Sequence, residues 1–114
     1  MSDNGREDDE VVDPGEAAYA EARARGGGAD LPSIDFTTFV LSLSHSALLH
    51  LGDAPDPVSG ERRVDLPLAR QSIDLIALLQ EKTRGNLTGE EERVLAQALF
   101  DLRMRYVEVA KSNA

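Results

Sequence analysis

Apolar residues recur at helical spacing in three stretches of the chain, and these stretches predict three helices. The helices are predicted at about 35–51, 66–84 and 89–111. In the first stretch the apolar side chains that share one face are Phe36, Phe39, Val40, Leu43, Ala47 and Leu51. The pattern therefore predicts an all-α fold.

The corner between the second and third helices carries its own stop and start signals. Gly85 is suited to the left-handed conformation that ends a helix. Thr88 is a typical N-cap residue, and Glu91 three positions later completes a capping box. Because this connection is short, the two helices are expected to run antiparallel. The sequence thus predicts a three-helix domain built on a long antiparallel helical hairpin.

The third helix has a second apolar stripe, which contains Phe100, Met104 and Val107. At about 1.5 Å per residue, the first helix is shorter than either arm of the hairpin, so it does not cover both arms. A stripe left uncovered in this way favours burial against another copy of the chain. We therefore predict a homodimer or higher homo-oligomer with these three residues at the interface.

Residues 1–32 differ from the rest of the chain, because they contain nine acidic residues against three arginines and few apolar side chains. Such a segment buries too little surface to offset the entropy of ordering its backbone. It is predicted to be a disordered acidic tail, and residues 33–114 are predicted to form the helical domain. Within the tail, 15–25 is rich in helix-forming residues but is short for an isolated helix.

Overall charge narrows the classes of partner. The 114-residue chain has a formal net charge of −9 and an isoelectric point near 4.6, which disfavours nucleic acid and anionic membranes. No apolar stretch has the length of a typical transmembrane helix, and the acidic start lacks the features of a secretion signal. Absence of cysteine excludes disulfides and thiolate chemistry. These features predict a cytoplasmic location.

Cations near the corner and in the long loop suggest an alternative function. Lys82, Arg84 and Asn86 lie at the corner, and Arg62 and Arg63 lie in the loop before the second helix. Together with the first N–H groups of the third helix, such residues could bind a small anion or a nucleotide. Three glutamates follow directly and would repel an anion, and the capping role explains the corner without a ligand.

The two histidines do not form a metal-binding pair by spacing. His45 and His50 are five residues apart, which separates them by about 140° around a helix, whereas shared ligands need spacings of three or four. Asp74 could approach His45 from the next helix, but pairing with Arg70 on its own helix is the simpler expectation. We predict no metal, no cofactor and no catalytic residues.

Several phrases of the sequence carry a family resemblance. They are DFTTFVLSLSHSALLHLG, PDPVSGE, DLPLARQSIDLIALLQEKTRGNLTGEE and LFDLRMRYVE, which together span about Ile34 to Val109. They resemble the uncharacterised bacterial family called domain of unknown function 1844. The resemblance implies a small, mainly helical, cytoplasmic bacterial protein, and it implies no activity or catalytic residue.

The leading hypothesis is a non-enzymatic cytoplasmic module for protein interaction or structure, which acts as a homo-oligomer and also contacts another cytoplasmic protein. An alternative is a regulator that binds a small anion or nucleotide at the Lys82 and Arg84 corner. A weaker alternative is association with RNA or the ribosome, through arginines of the third helix that alternate with acidic residues.

Overall fold

The computed structural model describes residues 13–26, 31 and 33–113, and contacts within the chain group it into two units, Met1–Ser33 and Ile34–Ala114. The described residues form four helices and no strand beyond one isolated bridge: α1 (Pro14–Gly26), α2 (Phe36–His50), α3 (Leu66–Lys82) and α4 (Gly89–Ser112). The predicted all-α class is confirmed. Three of the helices, α2 to α4, belong to the second unit.

Helix α1 is the main difference from the prediction, because it lies inside the segment predicted to be disordered. None of its residues is buried. The side chain of Asp13 accepts a backbone N–H of the first turn at 3.3 Å, and Arg25 pairs with Glu21 one turn earlier at 2.9 Å. Its alanine, glutamate and arginine content favours the helix locally. The rest of the predicted disorder, at 1–12, 27–30 and 32, lies outside the described residues.

A capping side chain begins α2, and a glycine follows its end. Asp35 accepts the N–H of Thr38 at 2.8 Å, which satisfies a donor that the helix start leaves free. Beyond the other end, Gly52 has φ +82°, a conformation that glycine adopts without strain. A Cβ atom at Gly52 would also lie 2.9 Å from the Val64 side chain. The chain therefore turns sharply here and brings the loop back against α2.

The core of the second unit lies where the three helices meet, since α2 packs against both arms of the α3–α4 hairpin. Its buried side chains come from all three helices and from the end of α2: Val40, Ala47, Leu51, Ala69, Ile73, Ile76, Leu95, Leu99, Leu102 and Val109. None of the described helices combines the length and the apolar content needed to cross a membrane.

Helix directions follow from contacts at the end of α2. Leu51 forms an antiparallel bridge with Val64, and the N–H of Asp65 donates to the carbonyl of His50 at 2.7 Å. Helix α3 therefore begins beside the end of α2 and runs antiparallel to it. Because α4 folds back along α3, α2 and α4 run in the same direction.

Candidate functional site

The corner between α3 and α4 is built by backbone capping. Gly85 has φ +88°, in the left-handed region that favours glycine. The N–H of Glu91 donates to the Thr88 hydroxyl at 3.1 Å, and the N–H of Thr88 donates to the Glu91 carboxylate at 2.9 Å. This is a complete capping box, so these residues have a structural role that needs no ligand.

We expect Thr88→Ala to lower the free energy of unfolding by about 1 kcal/mol, because the variant leaves a donor of the α4 start without its hydroxyl acceptor. Urea denaturation at a fixed protein concentration measures the change. Thr88→Ser is the matched control, since it retains the hydroxyl. An alanine variant as stable as the serine variant would contradict a capping contribution from this side chain.

The residues predicted to bind an anion do not come together. Arg62 and Arg63 precede α3, whereas Lys82, Arg84 and Asn86 lie at its other end, and 17 helical residues separate the groups by about 25 Å. Within the loop, Arg62 donates to the carbonyl of residue 53 at 2.7 Å, and Arg63 pairs with the carboxylate of residue 61 at 3.1 Å. A single site containing all five residues is therefore excluded by the geometry.

A carboxylate also lies near the cations of the corner. Arg84 lines a shallow depression of about 320 Å³ together with Glu92. A bound anion there would approach the Glu92 carboxylate as well as the guanidinium group, and like charges repel. The electrostatic attraction of an anion to the corner is therefore weaker than the two cations alone would give.

The predicted interface residues are exposed along α4. Phe100 is 62% exposed, and Met104 and Val107 are also exposed. Their spacings of four and three residues place them on one side of the helix. A contiguous apolar stripe on a folded surface marks a contact site more often than an isolated exposed side chain does.

Helix α3 extends this stripe with a residue that the sequence analysis did not include. Asp74 on α3 and Arg103 on α4 line the same depression between the two arms. Because the arms are antiparallel, the residues one turn nearer the corner are Leu78 on α3 and Phe100 on α4. Both of these side chains are exposed. Leu78, Phe100, Met104 and Val107 are called the hairpin surface below.

A second exposed apolar feature lies between α2 and α4. It is a groove of about 700 Å³, called the α2–α4 groove below. Leu41 and Leu48 line it from α2, and Val94 and Ala98 line it from α4. Leu41 is 58% exposed, so the apolar wall faces solvent. Only the packing of α2 along α4 creates this groove, which is why the sequence pattern alone did not reveal it.

An ion pair closes one end of the groove. Arg105 donates from two nitrogens to both carboxylate oxygens of Asp53, at 2.7 and 2.8 Å, and also donates to Glu108 at 3.0 Å. These hydrogen bonds from Arg105 lower the pKa of Asp53 below its usual range. The pair fixes the turn after α2 to the second half of α4, and 52 residues separate its partners.

This geometry predicts an acid-dependent contribution of Asp53 to stability. Because its pKa is lower in the folded chain, the carboxylate stabilises the fold above its unfolded pKa of about 3.9. The contribution disappears as the pH falls through the folded pKa. We expect Asp53→Asn to be less stable than the wild type at neutral pH, and the difference to close below about pH 4.

Thermal unfolding at a series of pH values tests this prediction. Asp74→Asn is a suitable control, because Asp74 is exposed and forms no salt bridge with another described residue. A stability difference between Asp53→Asn and the wild type that stays constant from neutral pH to pH 2 would contradict the linkage.

The histidines and Asp74 are not assembled into a site. His45 is exposed on α2, whereas the depression that contains Asp74 lies between α3 and α4. Arg70 lines that depression too, but the expected salt bridge between Arg70 and Asp74 is not formed. Across the described residues, no three histidine, cysteine, aspartate or glutamate side chains are grouped so that they could hold a metal ion.

The fold and its surfaces define a small all-α domain with two exposed apolar features. Residues 33–108 match the family described as Domain of unknown function (DUF1844). The match covers most of the chain, and the protein belongs to this family. Neither the curated proteins nor the solved structures contain a match.

Proposed function

We propose that this protein is a non-enzymatic, cytoplasmic interaction module that acts as a homo-oligomer through its hairpin surface. The observation that supports the proposal most directly is the exposure of Phe100, Met104 and Val107 on a helix whose opposite side contributes four buried side chains to the core. Burial of apolar surface in a contact contributes about 25 cal/mol of favourable free energy per Å² removed from water. A second copy supplies a surface of the same kind.

The chemistry of the hairpin surface suits self-association. Phe100 and Met104 lie two positions to either side of residue 102, so a two-fold contact centred there sets each ring against the thioether of the other copy. Contacts between sulfur and aromatic rings are favourable. The antiparallel alignment of two α4 helices also opposes their dipoles favourably.

The aspartates with lowered pKa values have structural roles in this fold. Among the described aspartates, pKa values are lowered at Asp35, Asp53 and Asp56. A hydrogen bond that caps a helix, closes a turn or joins an ion pair accounts for each of them. Catalytic sites concentrate perturbed groups in one cleft, and these three serve local structure instead.

Sedimentation velocity of the full chain over a range of micromolar concentrations tests the proposal. We expect a species heavier than the 12.3 kDa chain, with a population that rises with concentration. A single 12.3 kDa species at every concentration would rule out the homo-oligomer and leave the hairpin surface to another partner.

A further inference from the structure

The polar side chains of the α2–α4 groove are hydrogen bonded within the chain. The Ser44 hydroxyl donates to the backbone carbonyl one turn earlier at 2.9 Å, and the Gln97 amide donates to Asp101 at 2.9 Å. At the closed end, Arg105 donates to both carboxylate oxygens of Asp53. An occupant of the groove therefore finds mainly apolar contact.

This hydrogen bonding favours a helical occupant over an extended peptide. The backbone N–H and C=O groups of an extended peptide need partners when they leave water. A sheet edge supplies such partners, whereas both walls of this groove are helices. A helix satisfies its own backbone groups, so only its side chains have to match the groove.

The groove also has the position of a missing helix in a bundle. Helices α2 and α4 run in the same direction and both pack against α3, yet α3 contributes no residue to the groove lining. Small residues line both walls, with Ser44 between Leu41 and Leu48 on α2, and Ala98 on α4. A large apolar side chain of a fourth helix fits over these small residues. An antiparallel direction opposes its dipole favourably to those of α2 and α4.

Charged residues on the α4 rim of the groove define the polarity of the occupant. Arg93 and Asp101 both line the groove and are eight residues apart, or about 12 Å along the helix. Arg93 forms no salt bridge with another described residue, and Gln97 occupies only one oxygen of Asp101. An antiparallel helix with a basic residue near its start and an acidic residue about two turns later matches both charges.

We propose that the α2–α4 groove binds an amphipathic helix of another protein, antiparallel to α2 and α4. The occupant carries leucine-like side chains on one face, and the central one lies over Ser44 and Ala98. This inference rests on the proposed interaction role and names the kind of partner, but it does not need the homo-oligomer.

The groove borders the hairpin surface along its α4 rim. Arg93 and Gln97 lie seven residues before Phe100 and Met104, which places them on the same side of α4. Binding is therefore measured in the full chain with Phe100→Glu, which is expected to remove the hairpin contact. The wild-type chain is measured in parallel.

The probe is a synthetic, fluorescein-labelled helical peptide of about 16 residues with leucines on one face. It has a lysine in its first half and a glutamate about two turns later. The control peptide has the same composition, with the leucines distributed around the helix. We expect the striped peptide to bind at least about tenfold more tightly than the control in fluorescence anisotropy, because only its leucines can enter the groove together.

Leu41→Glu is expected to weaken binding of the striped peptide about tenfold or more, because it places a carboxylate in the apolar wall. Leu75→Glu is the matched control, since Leu75 is an exposed leucine of α3 outside the groove. Asp101→Lys should also weaken binding, and a peptide with glutamate in place of its lysine should recover the affinity for this variant.

Several results would overturn the proposal. They are equal binding of the two peptides, no binding of the striped peptide, and equal effects of Leu41→Glu and Leu75→Glu. Binding to the wild-type chain alone would place the peptide on the hairpin surface instead. If Leu41→Glu lowers the mass of the Phe100→Glu chain in sedimentation velocity, a second copy occupies the groove and the proposal fails. The mass of the wild-type chain tests the homo-oligomer separately.

Discussion

Phe100→Glu is expected to lower the mass of the protein in solution while its helices stay intact. Phe100 is mostly exposed within one chain, so the substitution removes little intramolecular packing. At a two-fold contact the variant places two unpaired carboxylates in an apolar interface, and removing a charge from water without a partner costs several kcal/mol. We therefore expect the association constant through the hairpin surface to fall by orders of magnitude.

Two readouts are needed for this variant. Sedimentation velocity gives the mass, and far-ultraviolet circular dichroism gives the helical content. Ser42→Glu is a useful comparison, since it adds a carboxylate to an exposed position on α2, which contributes no residue to the hairpin surface. An unchanged mass for Phe100→Glu, at a concentration where the wild type associates, would remove Phe100 from the interface.

Ile76→Ala is expected to lower the free energy of unfolding by about 2–5 kcal/mol. Ile76 is 0% exposed and lies in the core where the three helices meet. The variant loses the transfer free energy of the deleted groups and leaves a cavity that the surrounding helices fill only in part. Since small domains have about 5–15 kcal/mol in total, a large share of the stability is lost.

Leu75→Ala provides the matched control for the core. Leu75 is the neighbouring residue on α3 and is 51% exposed, so its truncation removes fewer contacts. Both variants are measured by urea denaturation in the Phe100→Glu background. This background prevents association through the hairpin surface from shifting the midpoint of unfolding. Equal losses at the two positions would show that the core does not lie on the face that contains Ile76.

Local sequence signals were sufficient for the secondary structure of the domain. Helical periodicity indicated α2, α3 and α4, because buried side chains such as Leu95, Leu99 and Leu102 recur every three or four residues. Periodicity did not give burial everywhere, since Phe39 shares the apolar face predicted for α2 and is 42% exposed. Threonine, glutamate and glycine at the corner act on the backbone within a few residues, so their roles follow from sequence spacing. The extent of α1 did not follow, because its stability depends on a balance of local propensities with no buried face.

Sequence spacing did not predict the contacts between distant parts of the chain. The pairing of Asp53 with Arg105 depends on where the turn after α2 meets α4, and no periodicity encodes that position. Leu78 joins the hairpin surface only through the alignment of two helices. The sequence pattern did not separate the four cations of the anion hypothesis, yet the length of α3 places two of them at each of its ends.

The most direct test of the hairpin contact is an isotope-filtered NOE measurement on a mixture of two labelled forms. Met1 and Met104 are the two methionines of the chain, so ¹³C labelling of methionine methyl groups gives a simple spectrum. Labelled chains are mixed with unlabelled ones. We predict intermolecular NOEs from the Met104 methyl group to the Phe100 ring of another copy. An associated sample in which the Met104 methyl group shows no intermolecular NOE would contradict self-association through the hairpin surface.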